Sequence, residues 1–490
     1  MPFETELEDQ LPRKAYFKVG GSVNKTILKR ELIEYPADKN VITIRNQPEV
    51  ARFLISGDCL LDGRESFFSL RLKTNTFTAF LSGDVTSIIS KIVIRLPSNS
   101  NIVLEEIDSY NTLSSLLQMI RMDDTQMASH WETGLNMLSN HNRSDSQARS
   151  RRFLNLNEGG YRAFTFQMNL SSILFHQQYL PLSLLNGILL EVHLAPSREC
   201  FHYNPANETW AKVFDNVEGM FFKQASFNAF SDDKKTAIQA QLTSFYKRPD
   251  PNSQVLEYEI ESFTFHAAAI WMNSEYVKRL TSKASSPEGI NIFFNTYRFN
   301  QVAPEQSIVL HFNSTEQFQN LKRIYFATLN RNRLQAGDDH SFNVFENFIK
   351  SYKFRIGSRS WQVVSNEDQG PLSYTQALLS MGTLQKQKTT SIPFSTYPRT
   401  QNIHAFDFEK VHDETHSGED TTNGRNLRME IQFQSNNDVQ LLDDADQPIL
   451  VDGNPLLLKK GTSPNQCVVY FFQYFTKMMN ISSKGIAITE

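Results

Sequence analysis

Cysteine is scarce: Cys59, Cys200 and Cys467 are three thiols spread over 490 residues. An odd, widely spaced set excludes a disulfide framework and a cysteine-based zinc site, and implies buried free thiols. Long apolar runs are missing too, and none approaches the roughly 18 residues of a membrane-spanning helix. The opening MPFETELEDQLPRK is acidic and lacks the apolar core of a signal peptide. The expectation is a soluble protein made inside a cell without a signal peptide, so the six Asn-x-Ser/Thr sequons at Asn24, Asn142, Asn169, Asn207, Asn313 and Asn480 carry little meaning. Neither sign of charge dominates. Lys and Arg number 49 against 53 Asp and Glu, for a net −4, which argues against bulk electrostatic binding of nucleic acid and for no specific nucleic-acid partner.

Catalytic signatures are missing as well. There is no glycine-rich phosphate loop and no Gly-x-Ser-x-Gly elbow. His412-Asp413-Glu414-Thr415-His416 places two His four apart, but Glu414 is out of place for a zincin helix and the following SGEDTTNG reads as loop. His193, His266 and His311 sit in strand patterns and read as satisfied sheet histidines. The acidic pairs Glu105-Glu106, Asp123-Asp124 and Asp443-Asp444 would serve calcium binding or glycoside hydrolysis only if two carboxylates met at a working distance, which nothing in the sequence provides. Trp131, Trp210, Trp271 and Trp361 are scattered and form no stacking platform. No catalytic residue, cofactor or metal is assigned. The expectation is a structural or binding protein and not an enzyme.

Phenylalanine is abundant, at 37 residues within a hydrophobic content of 40%, and Phe suits half-buried strands. The chain is too long for a single core and should hold two domains. Phe164 to Pro196 shows the pattern best. Alternation at Phe164, Phe166 and Met168 reads as a strand, and a second strand runs from Ile188 to Leu194. Pro181, Gly187 and Pro196 exclude a single long helix. Earlier strands are expected at Val41 to Arg45, Phe67 to Leu72 and Ile89 to Leu96. Ile102 to Ile120 has helical spacing through Ile107, Tyr110, Leu113, Leu116, Leu117 and Ile120, with Asp108 favouring the helix start. Asp123 to Gly160 is a long polar excursion holding the basic run His141 to Arg152.

The second half repeats this order. Strands are expected at Phe221 to Phe230, Leu256 to Ala268, Ile290 to Phe299, Ile308 to Phe312, Leu321 to Leu329, Leu427 to Phe433 and Val468 to Phe475, with Phe342 to Ile356 a further apolar block and Ile486 to Ile488 a candidate edge. Short helices are expected at Tyr276 to Leu280 and Leu372 to Met381. Gln385 to Asn426 is a second polar excursion. Many short strands with few helices make an all-β pattern of two tandem β-sandwiches. The division reads as an N-terminal arm over 1–40, a first sandwich over 41–200, a linker over 201–218 and a second sandwich over 219–490.

Several blocks together resemble the double jelly-roll major capsid proteins of Polinton-like viruses and virophages, relatives of large eukaryotic DNA viruses. They are KIVIRLPSNSNIVLEEIDSYNTLSSLL (Lys91 to Leu117), Gln178 to Leu182 with Gly187 to Leu194, YEIESFTFHAAAIWMNSEYVKRL (Tyr258 to Leu280), Ile290 to Phe299, Leu321 to Asn332, Tyr352 to Val364 and Tyr374 to Leu384. Their order covers most of Val41 to Glu490. Where relatives often follow an aromatic with Pro, Trp361 has none. The resemblance implies two eight-stranded jelly rolls per chain, homotrimeric pseudo-hexagonal capsomers (hexons), and an icosahedral shell around double-stranded DNA. The implied partners are further copies of the chain, penton or minor capsid proteins, and an internal membrane near the N-terminal arm. The implied location is the virion capsid. The two excursions would be tower or inter-capsomer loops. A minor vertex capsid protein and a carbohydrate-binding jelly-roll protein are the alternatives.

Overall fold

The computed structural model describes residues 27–45, 47–74, 80–81, 85–121, 162–167, 172–175, 179–202, 257–304, 309–330, 348–366, 371–380, 397, 402–411, 417–433, 439–440, 450–451, 454–455, 457–458 and 467–490. In chain order the principal elements are β1 (Ile27–Pro36), β2 (Val41–Ile44), β3 (Glu49–Ile55), β4 (Leu60–Thr74), β5 (Ile89–Leu96), β6 (Asn99–Asp108), α1 (Tyr110–Arg121), β7 (Arg162–Phe166) and β8 (Ile188–Leu194). There follow β9 (Tyr258–Met272), α2 (Ser274–Ala284), β10 (Ile290–Val302), β11 (Val309–Asn313), β12 (Leu321–Asn330), β13 (Ile349–Ile356) and α3 (Pro371–Ser380). The last are β14 (Ile403–Asp407), β15 (Leu427–Phe433), β16 (Cys467–Ser482) and β17 (Gly485–Thr489).

The chain divides into two units. One comprises Met1–Tyr297, Gly337–Phe342 and Thr476–Thr489; the other comprises Arg298–Ala336, Asn343–Phe475 and Glu490. In the first unit, one sheet runs β1-β9-β4-β7 with β2 also on β9, and a second runs β3-β8-β5-β6. All these pairings are antiparallel. In the second unit β12 lies between β14 and β16, while β11-β15-β13 forms the other sheet.

The expected all-β class holds, and many strands fall where alternation put them. β8 shows the expected alternation, with Ile188, Leu190, Val192 and Leu194 buried and the residues between them half-buried. Its entry is set by Asn186 and Gly187, both at positive φ; a Cβ on Gly187 would stand 2.8 Å from the Ile55 carbonyl oxygen. In β9 the phase changes at Ser262, whose φ is 54°, where the register on β4 shifts. That bulge lets Tyr258 and Ile260 point inward before it, and Phe263 and Phe265 after it. Phe263 then meets Phe53 edge-on, with ring centroids 5.0 Å apart. The second unit has its own aromatic core, in which Phe326, Tyr352, Phe354, Phe406, Phe408 and Phe471 pack together.

Four expectations are corrected. The helix over Ile102 to Ile120 starts only at Tyr110, because β6 continues through Asp108 and pairs with β5. Leu256 to Ala268, assigned to the second sandwich, lies in β9 and pairs with β1, β2 and β4. Residues 27–36, assigned to an arm, form β1 along that same strand. Part of the excursion expected over Gln385 to Asn426 is β14, whose Ile403, Ala405 and Phe406 are buried. Residues 123–160, the linker beyond His202, and Phe221 to Phe230 lie outside the described residues.

Candidate functional site

The structure separates the groups that would have carried chemistry. Glu105 and Glu106 are neighbours on β6 and therefore point to opposite faces. Glu105 is fully buried, whereas Glu106 bonds to Lys91 on the outside. His266 stacks on Phe67 at 4.6 Å and bonds Ser69 Oγ at 2.7 Å, while His311 is exposed on β11. His193 is half-buried, and its pKa is lowered by burial and by Lys91 and Arg52. His412 to His416, Asp123-Asp124, Asp443-Asp444, the basic run 141–152, Trp131 and Trp210 lie outside the described residues, as do the sequons at Asn24, Asn142, Asn169 and Asn207. Trp271 on β9 lies under Lys29, and Trp361, just after the Arg359–Ser360 strand, lies under Arg359. The three cysteines are buried free thiols; burial pushes Cys59 up to about 11 and Cys200 well above the usual thiol range.

One buried cluster has catalytic residue types. Ser373 Oγ on α3 is 2.7 Å from His404 Nδ1 and 2.8 Å from Tyr397 OH, and the Tyr397 hydroxyl donates to the Ile403 carbonyl at 2.8 Å. His404 is wholly buried and lies flat against Phe326 at 4.8 Å, and burial pushes its pKa down to about 3. Ser373 and Tyr397 are equally inaccessible. The arrangement fastens α3 and Tyr397 onto β14.

A second cluster ties the 409–419 segment to the start of β12. Glu409 accepts from Arg323 and lies 3.3 Å from Lys322 Nζ, with Arg323 also 3.3 Å from Asp407. Lys322 and Glu409 are at most 2% exposed. Ser417 Oγ donates to Glu409 at 2.9 Å, and the backbones of Leu321 and Glu419 exchange two bonds of 2.9 Å. Here the charges are paired and hydrogen-bonded, as burial demands.

The first unit buries a carboxylate differently. Glu105 accepts from Ser172 Oγ at 2.5 Å and from the Ile173 N–H at 2.9 Å. Burial raises its pKa, opposed by those bonds, by Thr296 and by the charge of Lys477. The turn it holds presses on β4 at Gly63, where a Cβ would overlap the Leu174 carbonyl oxygen.

The outward faces carry paired charges. On β3-β8-β5, Glu191 sits between Arg52 at 3.1 Å and Arg95 at 3.0 Å. Burial works against its charge, but the two guanidiniums hold its carboxyl below the usual range. At the other sheet's margin β1 is exposed from Ile27 through Leu32, with Leu28 at 68% and Leu32 at 57%. Sequence reasoning had no means of finding this edge, because exposure on both faces leaves no alternation.

These features describe two β-sandwich units whose polar groups are committed to architecture, and the fold is that of the double jelly-roll viral capsid proteins. PBCV-1 VP54, fitted into a reconstruction of the virophage Sputnik, is similar with a TM-score of 0.52 at 10% identity, covering 95% of this chain and 99% of that one. A chain from the cryo-EM structure of the Sputnik virophage has a TM-score of 0.55 at 9% identity, covering 96% and 90%. The Faustovirus major capsid protein has a TM-score of 0.51 at 7% identity, covering 93% and 90%. No family model matches the sequence, and no curated protein matches it.

Proposed function

We propose that this chain is a major capsid protein. It would self-associate into homotrimeric, pseudo-hexagonal capsomers that tile an icosahedral shell around double-stranded DNA. The observation that carries the reading is the near end-to-end likeness in fold to capsid chains, 95% of this chain against 99% of PBCV-1 VP54. Two sandwich units in one chain fit the idea that three copies present six sandwiches. The reading also rests on polar clusters, among the described residues, whose buried side chains bond to one another and secure helices and turns. The protein acts as a structural subunit in the virion, with penton or minor capsid proteins as neighbours. Contact of the N-terminal arm, cut back to the residues before β1, with such proteins or an internal membrane belongs to this proposal.

Light scattering of the purified protein tests it. The expected mass is three times 56.3 kDa, with hexagonal particles in negative stain. A stable monomer, or a five-fold ring, would overturn it in favour of a lectin-like or vertex protein.

A further inference from the structure

The outward face of the β11-β15-β13 sheet carries a charge arrangement that its own sheet does not neutralise. Phe354 and Met429 are buried partners on the inner side. The next pair, Arg355 and Arg428, stands directly opposite across β13 and β15 with both side chains exposed. Directly opposed residues in an antiparallel pair have Cα atoms about 4.5–5.5 Å apart, and like charges there repel. Neither arginine has an ion pair among the described residues; Arg355 donates only to the Gly357 carbonyl, at 2.9 Å.

The neighbourhood adds to the positive field. Arg425 lies over the Gly357 turn, where a Cβ would be 3.3 Å from its Cγ. Arg359 covers the Trp361 ring at 4.8 Å and pairs with Glu419, and Lys353 pairs with Glu430 at 2.8 Å. With Asp420 beside Arg425, five basic side chains face three acidic ones among the described residues. The chain as a whole is −4, so a surplus of two here leaves −6 for everything else. The remainder of a second copy is therefore net acidic, opposite in sign to this face.

We infer that this basic face is a contact surface for the acidic surface of a second copy of the chain, with carboxylates entering between Arg355 and Arg428. Two neighbouring guanidiniums offer forked donors matched to carboxylate oxygens. A basic patch meeting a different, acidic patch is a heterologous contact, the kind that builds rings and lattices. The inference rests on the capsid reading above, since it names where copies meet.

The test is self-association of the full chain, followed by light scattering across protein concentration and from ~0.05 to ~0.5 M NaCl. The unaltered protein should dissociate progressively as salt rises. The double variant R355E/R428E should need at least ~10-fold more protein to assemble, with R355Q/R428Q in between. Both variants should keep the parent Tm to within about 2 °C, because these side chains are exposed. Assembly of R355E/R428E at the parent concentration and salt dependence would overturn the inference while leaving the capsid reading intact. Failure of the unaltered chain to self-associate under any condition would strike the capsid reading itself. A labelled duplex of ~30 base pairs provides the remaining arm. Steeply salt-dependent binding lost in R355E/R428E, with self-association unchanged, would overturn the inference in favour of nucleic acid.

Discussion

The two units bury charge in opposite ways. The second unit sinks a near-complete set of partners, Lys322, Arg323, Asp407 and Glu409, so each charge has a counter-charge in reach. The first sinks a carboxylate, Glu105, on neutral donors, and its pKa rises because burial outweighs the bonds it receives. The ionic set resists removal of any one member, while Glu105, with only the charge of Lys477 and neutral donors set against its burial, resists ionisation. Sandwiches of one architecture thus answer differently to mutation and to pH.

The largest effect should come from breaking the ionic set. Glu409→Ala leaves Lys322 and Arg323 buried without their shared acceptor, and a loss of about 3–5 kcal/mol is expected. Urea denaturation would show it as a lower midpoint; an unchanged midpoint would mean that the charges reach water. Next is Ser373→Ala, which removes the hydroxyl joining His404 to Tyr397, with an expected loss of about 1–3 kcal/mol. His404→Gln probes the same cluster by pH. Because the folded histidine titrates at about 3 instead of 6.5, the unfolded chain binds the extra proton between those values. Stability should therefore rise with pH across that window by up to about 1.4 kcal/mol per pH unit, and the variant should lose that slope in urea midpoints read at several pH values.

The smallest and most discriminating effect belongs to Glu105→Gln. A carboxyl raised in the folded state binds its proton more tightly there than when unfolded. Its contribution to stability is present at acid pH and lost as pH rises above 4.5 through the raised value. The variant should gain Tm relative to the parent at neutral pH and not at acid pH, the reverse of the His404 trend. His193 acts in the same direction as His404 in the first unit, so the comparison must be between variants at each pH. A variant that loses stability equally at all pH values would show that Glu105 is fully compensated where it lies.

Legibility from sequence followed burial on one face. β5, β15 and β8 all matched their expected bounds: in β15 and β8 buried residues alternate with outward ones against a single core, while β5, with Ile92, Val93 and Ile94 all buried, is bounded by Pro97. β14 was missed because α3 covers its outer side, so Ile403, His404, Ala405 and Phe406 are all buried and no period of two survives. β6 was read as helix because Ile107 falls in phase with the Tyr110, Leu113 and Leu117 stripe of α1, and nothing local says that the strand runs on to Asp108. β9 looked like a strand of the second half, since its partners β1, β2 and β4 lie some 200 residues earlier and pairing over that separation leaves no local mark. The arginine pair was invisible for the same reason: Arg355 and Arg428 become neighbours only through the register of two distant strands.

That separation has a consequence in time. Ile27 pairs with Met272, so the outer strand of the first sheet has no partner until 245 further residues have been made. At a synthesis rate of roughly 5–20 residues per second, the delay is on the order of ten to fifty seconds. Throughout it, Ile27, Leu28 and Leu32 belong to a strand with no sheet to join. Crowded ribosomes making this chain would expose the same unpaired strand backbone many times over at once, so yield should depend on chaperone supply during translation more than on the stability of the finished protein.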